Sequence, residues 1–121
     1  MERYHVKIGF KQEHIKKLED FTNRLNGLSW KYSAHSIDGL NYRAVDVEGL
    51  LRYIKGVQLT AGAIFEYYAE GSEIIKVCYR VNYGAIDIIL VLNEDKLIVT
   101  IYLNSATDSH YTLKKNIYCR P

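Results

Sequence analysis

The chain has 121 residues, 48% hydrophobic and 25% charged, with a formal net charge of +2 and a single proline. That length suits one core and leaves no room for two domains, and the composition is that of a folded chain rather than a disordered one. The charge is too mild to mark a nucleic-acid binder by bulk electrostatics, so any RNA partner must be met by local clustering.

The start, Met1-Glu2-Arg3-Tyr4-His5, runs straight into an amphipathic pattern with no apolar signal segment, which leads us to expect a soluble, cytoplasmic chain. The apolar-rich stretch over 86–92 falls far short of the roughly 20 residues needed to cross a bilayer, so no membrane partner is expected. Cys78 and Cys119 are too few and too far apart for a disulfide framework or a zinc site. Two thiols in a reducing compartment are expected, Cys78 as a small strand residue and Cys119 in a tail.

Residues 4–10 alternate and suit a first strand. From Lys11 to Asn26 the period lengthens: Ile15, Leu18, Phe21 (or Thr22) and Leu25 recur at helical spacing. Glu13/Lys17, Lys16/Asp20 and Asp20/Arg24 supply opposite charges at i,i+4, and Gly27 is a stop signal. Over 29–45 the pattern is weaker. Ser33 suits the cap of a short helix holding His35, Leu40 and Arg43, against which Gly39 counts. A second helix is clearer, capped by Asp46, with Val47, Leu50, Leu51 and Ile54 on one face and Gly56 at its end.

Ala61 to Ala69 is ambiguous; Ile64, Phe65, Tyr67 and Tyr68 favour strand. Ile74–Asn82, Ala85–Asn93 and Leu97–Asn104 are rich in Val, Ile and Tyr and separated by short turn sequences, which predicts an antiparallel meander. Helices followed by consecutive strands make an α+β fold, N-terminal helices packed on one face of a C-terminal antiparallel sheet.

Strand alternation sorts these residues onto two faces. In the last strand Leu97, Val99, Ile101 and Leu103 form a core face, opposite Lys96, Ile98, Thr100, Tyr102 and Asn104. In the strand from Ile74, the residues Lys76, Cys78, Arg80 and Asn82 share a face, opposite Ile75, Val77, Tyr79 and Val81. If the two polar faces coincide, Arg80, Thr100 and Tyr102 converge on one cationic surface; the alternative is the plain solvated side of a half-buried sheet. Eleven tyrosines suit stacking on bases or simple packing in strands. The segment 104–114, dense in hydrogen-bonding side chains, suits either a site or an ordinary turn network. His35 and Arg43 are spaced by about two helical turns; each taken alone reads equally well as a packed or solvated side chain.

The stretch Ser33-Ala34-His35-Ser36-Ile37, with Arg43-Ala44-Val45-Asp46 and a helix after it, resembles the opening of many small bacterial toxin and phage nuclease domains. Asp87-Ile-Ile-Leu-Val-Leu-Asn93, Ile98-Val-Thr-Ile-Tyr-Leu-Asn104 and Asp108-Ser-His-Tyr-Thr-Leu-Lys-Lys-Asn-Ile-Tyr118 resemble the close of the same group, the barnase–EndoU–colicin–RelE superfamily of ribonucleases, nearest its phage-encoded branch. The resemblance spans roughly Ser33 to Tyr118 and implies one nuclease domain over 1–121. One departure is Gly39, where relatives often carry a further arginine.

What the resemblance implies is an endoribonuclease of toxin or phage type that uses no metal or other cofactor. It would cleave RNA by 2′-hydroxyl attack and leave a 2′,3′-cyclic phosphate. Its implied catalytic set is His35 and His110 for proton transfer, Arg43 and Arg80 on the phosphate, and Thr100 and Tyr102 as donors. Lys76, Asn104, Thr112 and Tyr118 would bind substrate. The implied partners are RNA and a cognate inhibitor or immunity protein. No His-x-x-x-His with a carboxylate and no paired carboxylates on one helical face occur in the sequence. The alternatives are a non-catalytic RNA- or protein-binding module of the same fold and a phage accessory domain that binds protein alone.

Overall fold

In the computed structural model, which describes residues 3–6, 10–41 and 46–105 (the backbone alone at 39–41, 104 and 105), strands and helices alternate first and a meander follows. The order is β1 (Arg3–Val6), α1 (Gln12–Asn26), β2 (Lys31–Tyr32), α2 (Ala34–Asn41) and α3 (Val47–Lys55). A 3₁₀ turn at Ala61–Ala63 leads into β3 (Ile64–Glu70), β4 (Glu73–Tyr83), β5 (Ile86–Asn93) and β6 (Leu97–Ser105). The described residues form a mixed α+β fold with one six-stranded sheet, ordered β1-β3-β4-β5-β6-β2. All pairings are antiparallel except the short β2 against β6, which is parallel.

The expected meander is present, and the sheet is wider than the sequence pattern indicates. β1 adds to the far edge of β3, and β2 pairs only Lys31 and Tyr32 with Leu97 and Ile98. Two-residue links join β3 to β4 and β4 to β5, with Gly71 and Gly84 at φ 59° and 65°, the left-handed region that glycine enters without a Cβ clash. In the β5–β6 link Lys96 takes that conformation instead, at φ 61°. Expected on a polar strand face, Lys96 is buried. Its Nζ donates to the Leu28 carbonyl at 2.9 Å and lies 4.3 Å from the centre of the Trp30 ring, so the connection is tied to the chain leaving α1. Burial lowers the pKa of this amine.

The helices form where their caps and periods predict. Asp46 accepts the Gly49 N–H at 3.1 Å and starts α3. Ser33 accepts the Ser36 N–H at 3.1 Å to start α2, and its own hydroxyl donates to the Val99 carbonyl at 3.0 Å, fastening the helix to β6. On α1 the buried face is His14, Leu18, Phe21, Thr22 and Leu25, while Ile15, expected on that face, is 37% exposed. His14 takes the interior place because its nitrogens are matched: Nε2–H donates to the Gly71 carbonyl at 2.8 Å and Nδ1 meets the Tyr67 hydroxyl at 2.7 Å. The Tyr67 oxygen in turn accepts the Lys11 N–H at 3.2 Å.

The main core lies between one face of the sheet and α1 and α3, joining Leu18, Phe21, Leu25, Leu50 and Ile54 to Tyr67, Val77, Tyr79, Leu90 and Leu92. The second face has its own apolar cluster of Phe65, Tyr68, Cys78, Ile89 and Val91, with Val99 and Tyr102 packed on it. Three register shifts decide which residue goes where. Between Ile64 and Glu66, between Ala69 and Tyr68, and between Val91 and Leu92, one strand carries an extra residue: Phe65 in β3, Ile75 in β4 and Val99 in β6. Each extra residue turns to the second face, Phe65 and Val99 into its apolar cluster and Ile75 into a pocket beside Lys76. Simple alternation therefore misplaces Ile75 and Val99. It also puts Ile98 on the wrong side, since Ile98 belongs to the main core with Ile101 and Leu103.

Burial pushes the Tyr79 hydroxyl up to about 12, with the Thr22 hydroxyl bonded to it at 2.8 Å. The folded state thus holds this proton more tightly than the unfolded chain. The resulting stability is complete below the ordinary tyrosine value of 10.0 and is lost as pH rises towards about 12. Tyr79→Phe should cost about 1 kcal/mol at neutral pH through the lost hydrogen bond and should flatten the alkaline loss. Urea midpoints measured across the alkaline range check this, and an equally steep loss in the variant contradicts it.

Candidate functional site

Directly paired residues share a face, as do residues two apart along an unshifted strand. The unshifted pairs Lys76–Asn93, Cys78–Val91, Arg80–Ile89 and Asn82–Asp87 therefore place Lys76, Cys78, Arg80, Asn82 and Asp87 on the second face. Val91 and Ile89 extend it to Thr100 and Tyr102 on β6, and Asn104 holds the register position opposite Asp87. On the other side, Cys78 and Lys76 extend it to Glu66 and Tyr68 on β3, and Tyr68 to His5 on β1. The face away from α1 and α3 thus carries Lys76, Arg80, Thr100 and Tyr102, so the two polar strand faces lie on the same side of the sheet.

Two polar groups stand on either side of Cys78 on this face, one on β4 and β5 and the other on β3 and β1. Near the end of β4, the Arg80 Nε–H donates to Asp87, and the Asn82 amide donates to the other Asp87 oxygen at 3.1 Å. Asp87 is only 7% exposed, so its carboxylate holds the guanidinium in one orientation on a rigid strand. Thr100 and Tyr102 lie two strands away, about 10 Å across the sheet, with Ile89 between Arg80 and Tyr102.

On β3, opposite Cys78 in the middle of β4, Glu66 is completely buried, and its Oε2 accepts from His5 Nε2 at 2.5 Å. Its Oε1 has no hydrogen-bond partner among the described residues. His5 stacks on Tyr68 with ring centres 4.2 Å apart, and the Lys76 ammonium lies 4.7 Å from the Tyr68 ring centre. His5, Glu66 and Asp87 are functional candidates to which the sequence pattern assigns no role. The legible signal was Glu66, one charge inside the apolar and aromatic run Ile64-Phe65-Glu66-Tyr67-Tyr68. A carboxylate there must be buried with a partner, and the partner lies 61 residues away in sequence.

His35 sits in the first turn of α2, exposed, and has no hydrogen-bond partner among the described residues. The helix packs against β6, and its start is bonded to the Ile98 and Val99 carbonyls next to Thr100. Arg43, His110, Thr112 and Tyr118 lie outside the described residues, as does Cys119, and the side chain of Asn104 is not described either. Cys78 is fully buried in β4, as a strand residue should be. Among the described residues no group of three or more His, Cys, Asp or Glu side chains is placed to hold a metal ion, and no helix is long and apolar enough to cross a membrane.

In comparisons with family models, curated proteins and solved structures, the chain matches none.

The Glu66–His5 pair carries an asymmetric prediction. His5→Ala leaves a buried carboxylate with neither oxygen paired among the described residues, and should cost about 3–5 kcal/mol of folding stability. Glu66→Gln keeps the shape and an acceptor for the imidazole and should cost far less. Chemical denaturation of both variants is the measurement, and equal losses would contradict the assignment.

Proposed function

We propose that this chain is a ribonuclease of the barnase–EndoU–colicin–RelE type that cleaves RNA without a metal ion. The observation that carries the reading is the gathering of Arg80, Thr100 and Tyr102 on one sheet face, with the helix that bears His35 bonded to the strand that bears Thr100. The helix-backed antiparallel meander is also compatible with the architecture this resemblance implies.

In the proposed reaction the ribose 2′-oxygen attacks the adjacent phosphorus, its proton passes to a base, and the 5′-oxygen leaves with a proton from an acid. The products are a 2′,3′-cyclic phosphate and a 5′-hydroxyl. His35 is the proton-transfer group, because an imidazole can both accept and donate a proton. Arg80 opposes the charge that builds on the phosphate oxygens, and the Thr100 and Tyr102 hydroxyls donate to them. Asp87 is a positioning residue: its bond to Nε–H fixes the plane of the guanidinium. The same bond favours a second reading, a binding module without chemistry, because Asp87 neutralises part of the charge that a phosphate would meet.

Incubation of the purified protein with total RNA in EDTA decides between the two. The enzyme leaves fragments ending in cyclic phosphate; intact RNA with retained, salt-sensitive binding selects the module. Because His35 is exposed, His35→Ala should lower the cleavage rate by about 10²–10⁴-fold with little change in melting temperature. Full cleavage by that variant would remove His35 from the mechanism.

A further inference from the structure

We propose that the pocket between β1, β3 and β4 is a nucleotide subsite for single-stranded RNA, an extension that rests on the ribonuclease reading. The pocket has a volume of about 470 Å³, within the range of sites that enclose small molecules. The stacked rings of His5 and Tyr68 form one wall, Ala69 and Ile75 supply apolar surface, and Arg3 and Lys76 bring positive charge. The register shift in β4 opens this site: by turning Ile75 to the same side as Lys76, it gives the pocket two consecutive side chains, one apolar and one cationic. Glu66, fully buried behind His5, pins the imidazole and stiffens the wall.

The charges select the ligand. Arg3 lies 3.7 Å from Glu70, which offsets it in part. Lys76 forms no salt bridge among the described residues, so its ammonium, held near the Tyr68 ring, is the one to meet an anion. Lys76 and Arg80 lie on the same face of β4, separated by about 13 Å along the strand. One phosphate cannot reach both; an extended strand that presents one phosphate to Arg80 presents a later one to Lys76. The concave, partly apolar pocket beside Lys76 then takes an unstacked base, which a duplex does not offer. The occupant is therefore a nucleotide of the single strand already engaged by Arg80.

A fluorescein-labelled 2′-O-methyl oligoribonucleotide tests this, because its blocked 2′-oxygen cannot attack and binding is read without turnover. Anisotropy titrations over a range of salt give the slope of log affinity against log salt. Lys76→Gln, at a partly exposed position, should reduce that slope by about 0.7, the loss of one phosphate contact on a single strand. Lys17→Gln, on the exposed face of α1, should leave it unchanged. A wild-type protein that binds with salt dependence, together with an unaltered slope in Lys76→Gln, overturns the subsite and leaves the ribonuclease reading standing. A wild-type protein with no affinity for the probe overturns both.

Discussion

The pairing of β4 with β5 runs without a shift from Lys76–Asn93 to Tyr83–Ile86, and the rest of the structure is arranged around it. Because side chains alternate strictly across an unshifted ladder, this central pair divides the molecule into a face that α1 and α3 cover and a face that carries polar groups. A slip of β4 by one residue would carry Val77 and Tyr79 out of the main core and drive Arg80 into it. Around this ladder the outer pairings are shifted three times, and each time the extra residue turns to the second face. Bulges bend and twist the strands that contain them, and here they also supply that face with Phe65, Ile75 and Val99, residues that strict alternation would send to the other side.

Polar groups enclosed by a packed sheet are stabilised when they are matched. The fold matches several of them with long-range pairs, while Glu66 Oε1 has no hydrogen-bond partner among the described residues. His14 joins α1 to Tyr67 and to the β3–β4 turn; Thr22 joins α1 to Tyr79; Lys96 joins the β5–β6 link to the end of α1. His5 and Glu66 hold the edge strand β1 on β3, and Asn26 accepts and donates at Leu59, bridging α1 to the segment before β3. Each of these ties elements distant in sequence, so each rewards the same register that the hydrophobic core demands.

For the proposed chemistry, the consequence is rigidity. Arg80 is presented from the middle of a sheet and oriented by a nearly buried carboxylate, and α2 is held to β6 through one serine that both caps the helix and bonds the strand. A group fixed in this way loses little freedom when it meets a phosphate, which is what electrostatic stabilisation of a transition state requires.

The sequence alone determined the elements whose signals are local. The period of α1, the Asp46 and Ser33 caps and the Val/Ile/Tyr-rich strands of the meander all follow from residues a few positions apart, whereas the sharing of one face by Arg80, Thr100 and Tyr102 depends on the register between strands. Tertiary structure decided the rest, because it depends on contacts between distant parts of the chain. β2 is too short to show a period and exists only because β6 is beside it. Ile15 yields its interior place to His14 because Tyr67 and Gly71 are there to bond the imidazole. The bulges at Phe65, Ile75 and Val99 leave no periodic trace. The lone charge of Glu66 is visible in the sequence, but its partner His5 becomes its neighbour only when β1 closes on β3.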